Sequence, residues 1–351
     1  MRGEPGFFDV DERLKRLSGL GDHLEGFAAA VDFEMFRADL VAALGYSDGA
    51  QGGRPPFDPV MMFKILVIQA MDNLSDERAE FLINDRMSFM RFLGLTLADR
   101  VPDARTIWLF REKLAKAGAI EGLFAFRRGA AGLGLSCHVR ADRRRHAGRG
   151  AQATQQRGRK EGDQGGAHSR GLGGEAREIT AERSRRALDR RPDGTKPPVD
   201  IAIPTFGYQN HVAIDQGFGF IRKWMATDAA AYEGARLREG LLDKTNTAAS
   251  VWADTAYRSA ANEAFLAKNG FRFCIHRKKP KGRPMPDAVR RANALKSTVR
   301  SRVEHVFAEQ KDRMGLFSRT IGVNRAKVKI GMTNLVYNFK RLVFWRRIAA
   351  A

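Results

Sequence analysis

A chain of 351 residues is long enough for two or three domains with a sizeable buried core. Its 61 Lys and Arg against 40 Asp and Glu leave a net charge of +21, which calls for a polyanionic partner, nucleic acid before an anionic membrane surface. No apolar run approaches the roughly 18–20 residues of a spanning helix, the opening MRGEPGFFDVDERLKRL is too charged for a secretory signal, and Cys137 and Cys274 form no spaced cluster. Those features exclude a disulfide framework and a structural zinc site and fit a reducing cytoplasm.

Residues 1 to about 124 read as helices. Asp58 and Pro59 open one of them as N-cap and first-turn proline, ahead of Val60, Phe63, Leu66, Val67 and Ala70. Ser75 caps a helix predicted to run to Leu93, where Gly94 ends it. A third follows Pro102 and Asp103, carries Ile107, Phe110 and Leu114 at helical spacing, and stops near Gly118. Short amphipathic helices in series suit a helix-turn-helix-like unit for DNA binding or dimerisation. They suit a helical bundle without DNA contact equally well.

The next window is different in kind. From Arg127 to Arg191 there is no Phe, Trp or Tyr, and 17 Lys and Arg stand against 7 Asp and Glu. Such a stretch buries too little apolar surface to offset its ordering entropy, so the expectation is a disordered basic segment, a solvated linker or a nucleic-acid-binding tail.

Globular character returns from Pro192. Tyr208, Val212 and Ile214 fall on one face of a predicted strand, Asp215-Gln216-Gly217 offers a turn, and Phe218 to Thr227 reads as the partner strand of a hairpin. Ala249 to Ala253 is a short apolar run suited to a buried strand ending at Asp254. A helix from about Ala288 carries Val299, Val303, Val306 and Phe307. A last basic helix over about Arg325 to Arg347 carries Val328, Leu335, Val336, Phe339 and Leu342.

Two carboxylates stand out. Asp254 ends a strand, the place where open sheets build their sites, though a helix N-cap is the competing reading. Glu304 shares a helix arc with Arg300 and Lys311 beside the apolar Val303 and Phe307, which could hold a metal next to phosphates. A surface ladder of ion pairs explains the same spacing. Lys278 and Lys279 lie in a basic loop, His276 to Arg283, that could track phosphates or simply be solvated. His211, His276 and His305 share no ligand spacing and read as core or surface residues. Trp224, Trp252 and Trp345 read as core anchors.

The segments FGYQNHVAID, VWADTAYRSA, SRVEHVFAEQK and RTIGVNRAKVKIGMTNLVYNFKRL resemble the IS-five-type DDE transposases of bacterial insertion sequences. The segment FDPVMMFKILVIQAMDNLSDERAEFLINDRMSFMRFLGL resembles that family's N-terminal helical domain, so the resemblance covers residues 55–124 and 198–345. It implies an α/β fold: a ribonuclease H-like core, preceded by an all-α N-terminal domain. In that core three carboxylates, Asp-Asp-Glu, hold two divalent ions, with magnesium suited to an all-carboxylate cage. By resemblance Asp254 is the second carboxylate and Glu304 the third, both catalytic and metal-binding, while Arg300 and Lys311 match basic positions that flank the glutamate. Ser297 stands where the family often has tyrosine. The implied partners are double-stranded DNA, as terminal inverted repeats and target, and further copies of the chain when active; no membrane is implied.

The first aspartate of such a site belongs on a strand resembling GQIVDATLVAAPKQRN. None follows the helical domain here, and the basic window occupies its place. Synonymous codons can be chosen for Ala141 to Gln155 so that reading from the second base gives QTVDATLVAAPKQRN, with the aspartate straddling the codons of Arg144 and Arg145. The same offset turns Lys160 to Leu172 into RKAIKAGRIPEGW. The expected organisation is therefore a helical DNA-binding or dimerisation domain over 1–126, a frameshifted and disordered basic segment over 127–191, and a ribonuclease H-like core over 192–351 that lacks its first strand. The expected function is two-metal strand cleavage and transfer at the ends of an insertion sequence, impaired by the lost aspartate unless another residue such as Asp200 replaces it. The alternative is a catalytically inactive, DNA-binding transposase remnant.

Overall fold

The computed structural model describes residues 8–46, 55–124, 144–147, 151–152, 207–242 and 250–350, apart from residues 216, 230, 281 and 319. The N-terminal part is helical: α1 (Asp9–Gly19), α2 (His23–Ala30), a 3-10 turn (Phe33–Phe36), α3 (Arg37–Leu44) and α4 (Pro59–Asp72). α5 (Asp76–Asp85), α6 (Met87–Leu93), α7 (Ala104–Ala117) and α8 (Ile120–Phe124) follow. The caps are those the sequence predicts. Asp58 accepts from the Met61 amide at 2.9 Å, Ser75 from Arg78 at 3.1 Å and Asp103 from Thr106 at 2.7 Å. Gly94 and Gly118 end α6 and α7 at positive φ. α4 is buried on nearly every face, which marks it as the centre of the helical cluster.

One predicted helix is two. The run from Ser75 to Leu93 breaks at Arg86, whose backbone is extended at φ −114° and ψ 113°. α6 buries Phe89, Met90, Phe92 and Leu93, a wider arc than a straight continuation of α5 could turn to one core. Packing overrides the continuous helical periodicity there.

The sheet comprises β1 (Arg144–Ala147), β2 (Ala151–Gln152), β3 (Tyr208–Asp215), β4 (Ile221–Asp228), β5 (Ser250–Trp252) and β6 (Arg272–Phe273). Its order is β4-β3-β1-β5-β6, with β2 lying along β3 beyond β1. β3 is antiparallel to β1 and β4, whereas β5 runs parallel to β1 and β6 parallel to β5. Three antiparallel strands followed by two parallel ones form the ribonuclease H-like arrangement that the resemblance implies.

This corrects the expectation of a core without its first strand. Arg145 pairs with Asp215 on one side and Val251 on the other, so backbone from the basic window fills the centre of the sheet. A ladder is made of main-chain N–H and C=O groups, which every non-proline residue carries, so a polar, aromatic-free sequence can occupy it. Apart from β1 and β2, the window expected to be disordered lies outside the described residues. The hairpin also differs slightly from its prediction. The Asp215 carboxylate accepts from the Phe218 and Phe220 amides at 2.6 and 3.0 Å, which delays the start of β4 to Ile221.

Helices cover both faces. On one lie α9 (Glu233–Arg236), which continues into a π turn (Leu237–Leu241), and α10 (Ala260–Lys268). Leu237, Leu241, Val251, Tyr257, Leu266 and Ile275 form the core there. On the other lie α11 (Asp287–Ala308), ending in a π turn (Glu309–Arg313), and the long α12 (Val323–Ala350). α12 joins the two halves of the molecule: it packs on α2, α4, α7 and α8 and also on β4. The Phe339 ring meets Phe27, Phe33 and Phe36 at centroid distances of 6.2, 5.7 and 6.1 Å. Arg325 pairs with Glu112 at 2.7 Å and Lys327 with Glu121 at 2.9 Å. Gly331 allows the closest approach, since a Cβ there would lie 2.4 Å from Ile120 and 2.8 Å from Trp224. The N-terminal helices, α11, α12 and one sheet face thus share a continuous apolar core.

Candidate active site

Asp254 leaves the sheet two residues beyond β5, the strand that runs beside β1. It is half-buried and caps the 3-10 turn Thr255–Tyr257. Its Oδ1 accepts from the Thr255 amide at 2.6 Å and from the Thr255 hydroxyl at 3.3 Å, and neither bond uses Oδ2. Tyr257, fully buried, anchors the turn, and Asn262 donates to the carbonyls of Tyr257 and Gly234 at 2.7 and 2.8 Å. The capping geometry and the strand-end position are both present; they are two aspects of one residue.

Glu304 lies on α11, where the flank beside it, Val303, Val306 and Phe307, is buried against the core. Arg300 Nη1 pairs with Glu304 Oε1 at 2.9 Å, with side-chain exposures of 23% and 51%. That half-open pair is the ion-pair ladder the spacing permits, and it leaves Oε2 outside the bridge. Lys311 is exposed within the π turn at the end of α11, so it follows Glu304 through a widened turn rather than a regular one.

The π turn is held from below by a cluster that sequence reasoning missed. Asn210 Nδ2 donates to Gln310 Oε1 at 3.1 Å and to Asn334 Oδ1 at 2.9 Å. Gln310 Nε2 donates to Asn334 Oδ1 at 2.7 Å, and Asn334 Nδ2 returns a bond to Asn210 Oδ1 at 3.1 Å. All three are buried, so their amides stay paired with one another. Lys340 adds an ion pair to Glu309. The signal in the sequence is an amide at 210 within a predicted strand and another at 334 within the last helix.

Lys278 and Lys279 are exposed on the segment after β6. Its base is fixed to α11: Lys296 donates to the Ile275 carbonyl at 3.0 Å, and the Asn293 side chain brackets the amide and carbonyl of Arg277 at 3.1 and 3.0 Å. The basic segment thus departs from the same corner of the molecule as Asp254 and α11.

Among the described residues no group of three His, Cys, Asp or Glu side chains could hold a metal ion. Asp215 is committed to its turn through both oxygens, and Asp200 lies outside the described residues. β1, at the centre of the sheet, reads Arg144-Arg145-His146-Ala147 and contributes no acid.

A ribonuclease H-like sheet, with Asp254 beyond the strand beside β1 and Glu304 on a covering helix, is the arrangement that the resemblance to DDE transposases implies. The comparison with protein families agrees. The transposase domain DUF772 matches residues 11–113, and the transposase DDE domain matches residues 202–339. Between them they cover most of the chain, which belongs to the DDE transposases, an enzyme family. No curated protein and no solved structure matches it. No helix among the described residues is long and apolar enough to cross a membrane.

Proposed function

We propose that this chain is an IS-five-type insertion-sequence transposase whose catalytic centre lacks its first carboxylate, so that it binds element DNA and target DNA without cutting them. The observation that carries the reading is the content of β1. That strand lies between β3 and β5, beside the strand that leads to Asp254, and holds two arginines, a histidine and an alanine.

Asp254 and Glu304 each keep one oxygen outside their own hydrogen bonds, and carboxylate oxygens suit magnesium. Two carboxylates do not make the cage that a pair of ions needs, so the described residues do not fit two magnesium ions. What the chain's own residues do is bind. Arg300, Lys311, Lys278 and Lys279 form the cationic surroundings of the carboxylate pair, and the net charge of +21 supplies long-range attraction to a polyanion. The position of β1 also supports the frameshift: the segment that regains VDAT in the shifted reading overlaps residues 144–147. Several copies of the chain acting together at the element ends remain part of the proposal.

The test is strand cleavage on DNA carrying the element's terminal repeats, with magnesium. The chain as written binds that DNA, losing affinity steeply between about 50 and 200 mM salt, and nicks none of it. A gene corrected to the shifted frame over about codons 127–191 yields metal-dependent nicking, which Glu304→Gln abolishes. Cleavage by the chain as written, or codons that give no VDAT in either alternative frame, would falsify the proposal.

A further inference from the structure

We propose that His276 is a positioning residue that sets the height and rotation of Glu304 relative to Asp254; this rests on reading those two carboxylates as the catalytic pair. His276 is buried at 8% exposure and sits just beyond β6, where its backbone amide reaches toward the Ala253 carbonyl at 3.4 Å. Its ring spans the gap between strand end and helix. Nδ1 lies 3.2 Å from the Ala253 carbonyl, and Nε2 lies 3.0 Å from both the Asn293 carbonyl and the Ser297 hydroxyl of α11. Ala253 directly precedes Asp254, so one end of the ring is tied next to that carboxylate.

The other end is tied to the face of α11 that carries Glu304. Ser297 and Glu304 are seven residues apart, which on an α-helix is about 10.5 Å of rise and a rotation within roughly 20° of two full turns. A bond at Ser297 therefore fixes both how far α11 has slid along the sheet and which way Glu304 faces. Lys296 and Asn293 hold the backbone of 275–277 alone, whereas the His276 ring reaches through to the strand that ends in Asp254. Beyond Glu304 the amides of Asn210, Gln310 and Asn334 hold the end of the helix. Glu304 lies between two anchors. The serine at 297, where the family often has tyrosine, supplies one of the three polar contacts of the His276 ring.

The test measures the placement of α11 in the full chain, without reference to catalysis. Nitroxide labels at Lys268→Cys on α10 and His305→Cys on α11, with the two native cysteines changed to serine, report the separation by electron double resonance. The expected result is one narrow distance peak, which His276→Ala and Ser297→Ala shift and broaden, and which Ser297→Thr, keeping the hydroxyl, preserves. An unchanged peak in His276→Ala, with a lowered Tm alone, makes His276 a mere stabiliser and overturns the inference. Should His276→Ala fail to fold, the contrast between Ser297→Ala and Ser297→Thr decides: equal peaks overturn the inference. The underlying reading fails separately, when Glu304→Gln leaves cleavage by the frame-corrected protein intact.

Discussion

α4 and β1 each lie at the centre of their half of the molecule, yet they reach that place by opposite routes. α4 has an N-cap at Asp58, a first-turn proline, an αL residue at Asn73 and apolar side chains on nearly every face. Its sequence and its burial agree at every level. β1 has arginines, a histidine and no strand pattern, and it sits between β3 and β5 through its main chain. Local signals and packing build α4, whereas β1 fills a slot that its neighbours define. The difference shows that a central ladder position needs only main-chain N–H and C=O groups, whatever side chains the segment brings.

The largest stability effect should come from the helical half, where α12 packs into it. Phe339→Ala empties the aromatic cluster shared with Phe27, Phe33 and Phe36 and should cost about 3–5 kcal/mol in chemical denaturation. A loss under 1 kcal/mol would mean that α12 does not join the two halves through this cluster.

A pH experiment probes the sheet directly. His211 on β3 is fully buried and bonded to the Thr227 hydroxyl at 3.0 Å; burial pushes its pKa down from 6.5 to about 4, with Arg236 adding to the shift. The folded state thus binds this proton less readily than the unfolded chain. Its contribution is complete above pH 6.5 and is lost as pH falls toward about 4, by on the order of 3 kcal/mol. His211→Asn should flatten the stability profile over that window. An equally steep acid limb in the variant would remove His211 as its cause.

Smaller effects test the slot and the seam. Arg145→Pro removes one ladder N–H from the centre of the sheet and should destabilise it by about 1–3 kcal/mol, with faster hydrogen exchange of β3 and β5 amides. Unchanged exchange would show that the strand does not occupy the slot. Gly331→Ala places a methyl against Ile120 and Trp224 and should also cost about 1–3 kcal/mol by overpacking. A neutral outcome there would mean that α8 and β4 yield to α12 without strain.

The sequence by itself determined the elements that carry local instructions. Capping residues and periodicity marked α4, α7 and the start of α5, and alternating and apolar runs marked β3 and β5. Asp254 and Glu304 stand out in the sequence because each sits in a motif, VWADTAYRSA and SRVEHVFAEQK. Only the tertiary structure decided the rest. The break at Arg86, the course of α12 through the N-terminal helices, the amide cluster of Asn210, Gln310 and Asn334, and the reach of His276 from Ala253 to Ser297 join residues distant in sequence. The physical reason is range. A cap or a stripe acts within a turn or two of the chain, whereas a buried polar atom takes whatever partner the closed fold brings to it.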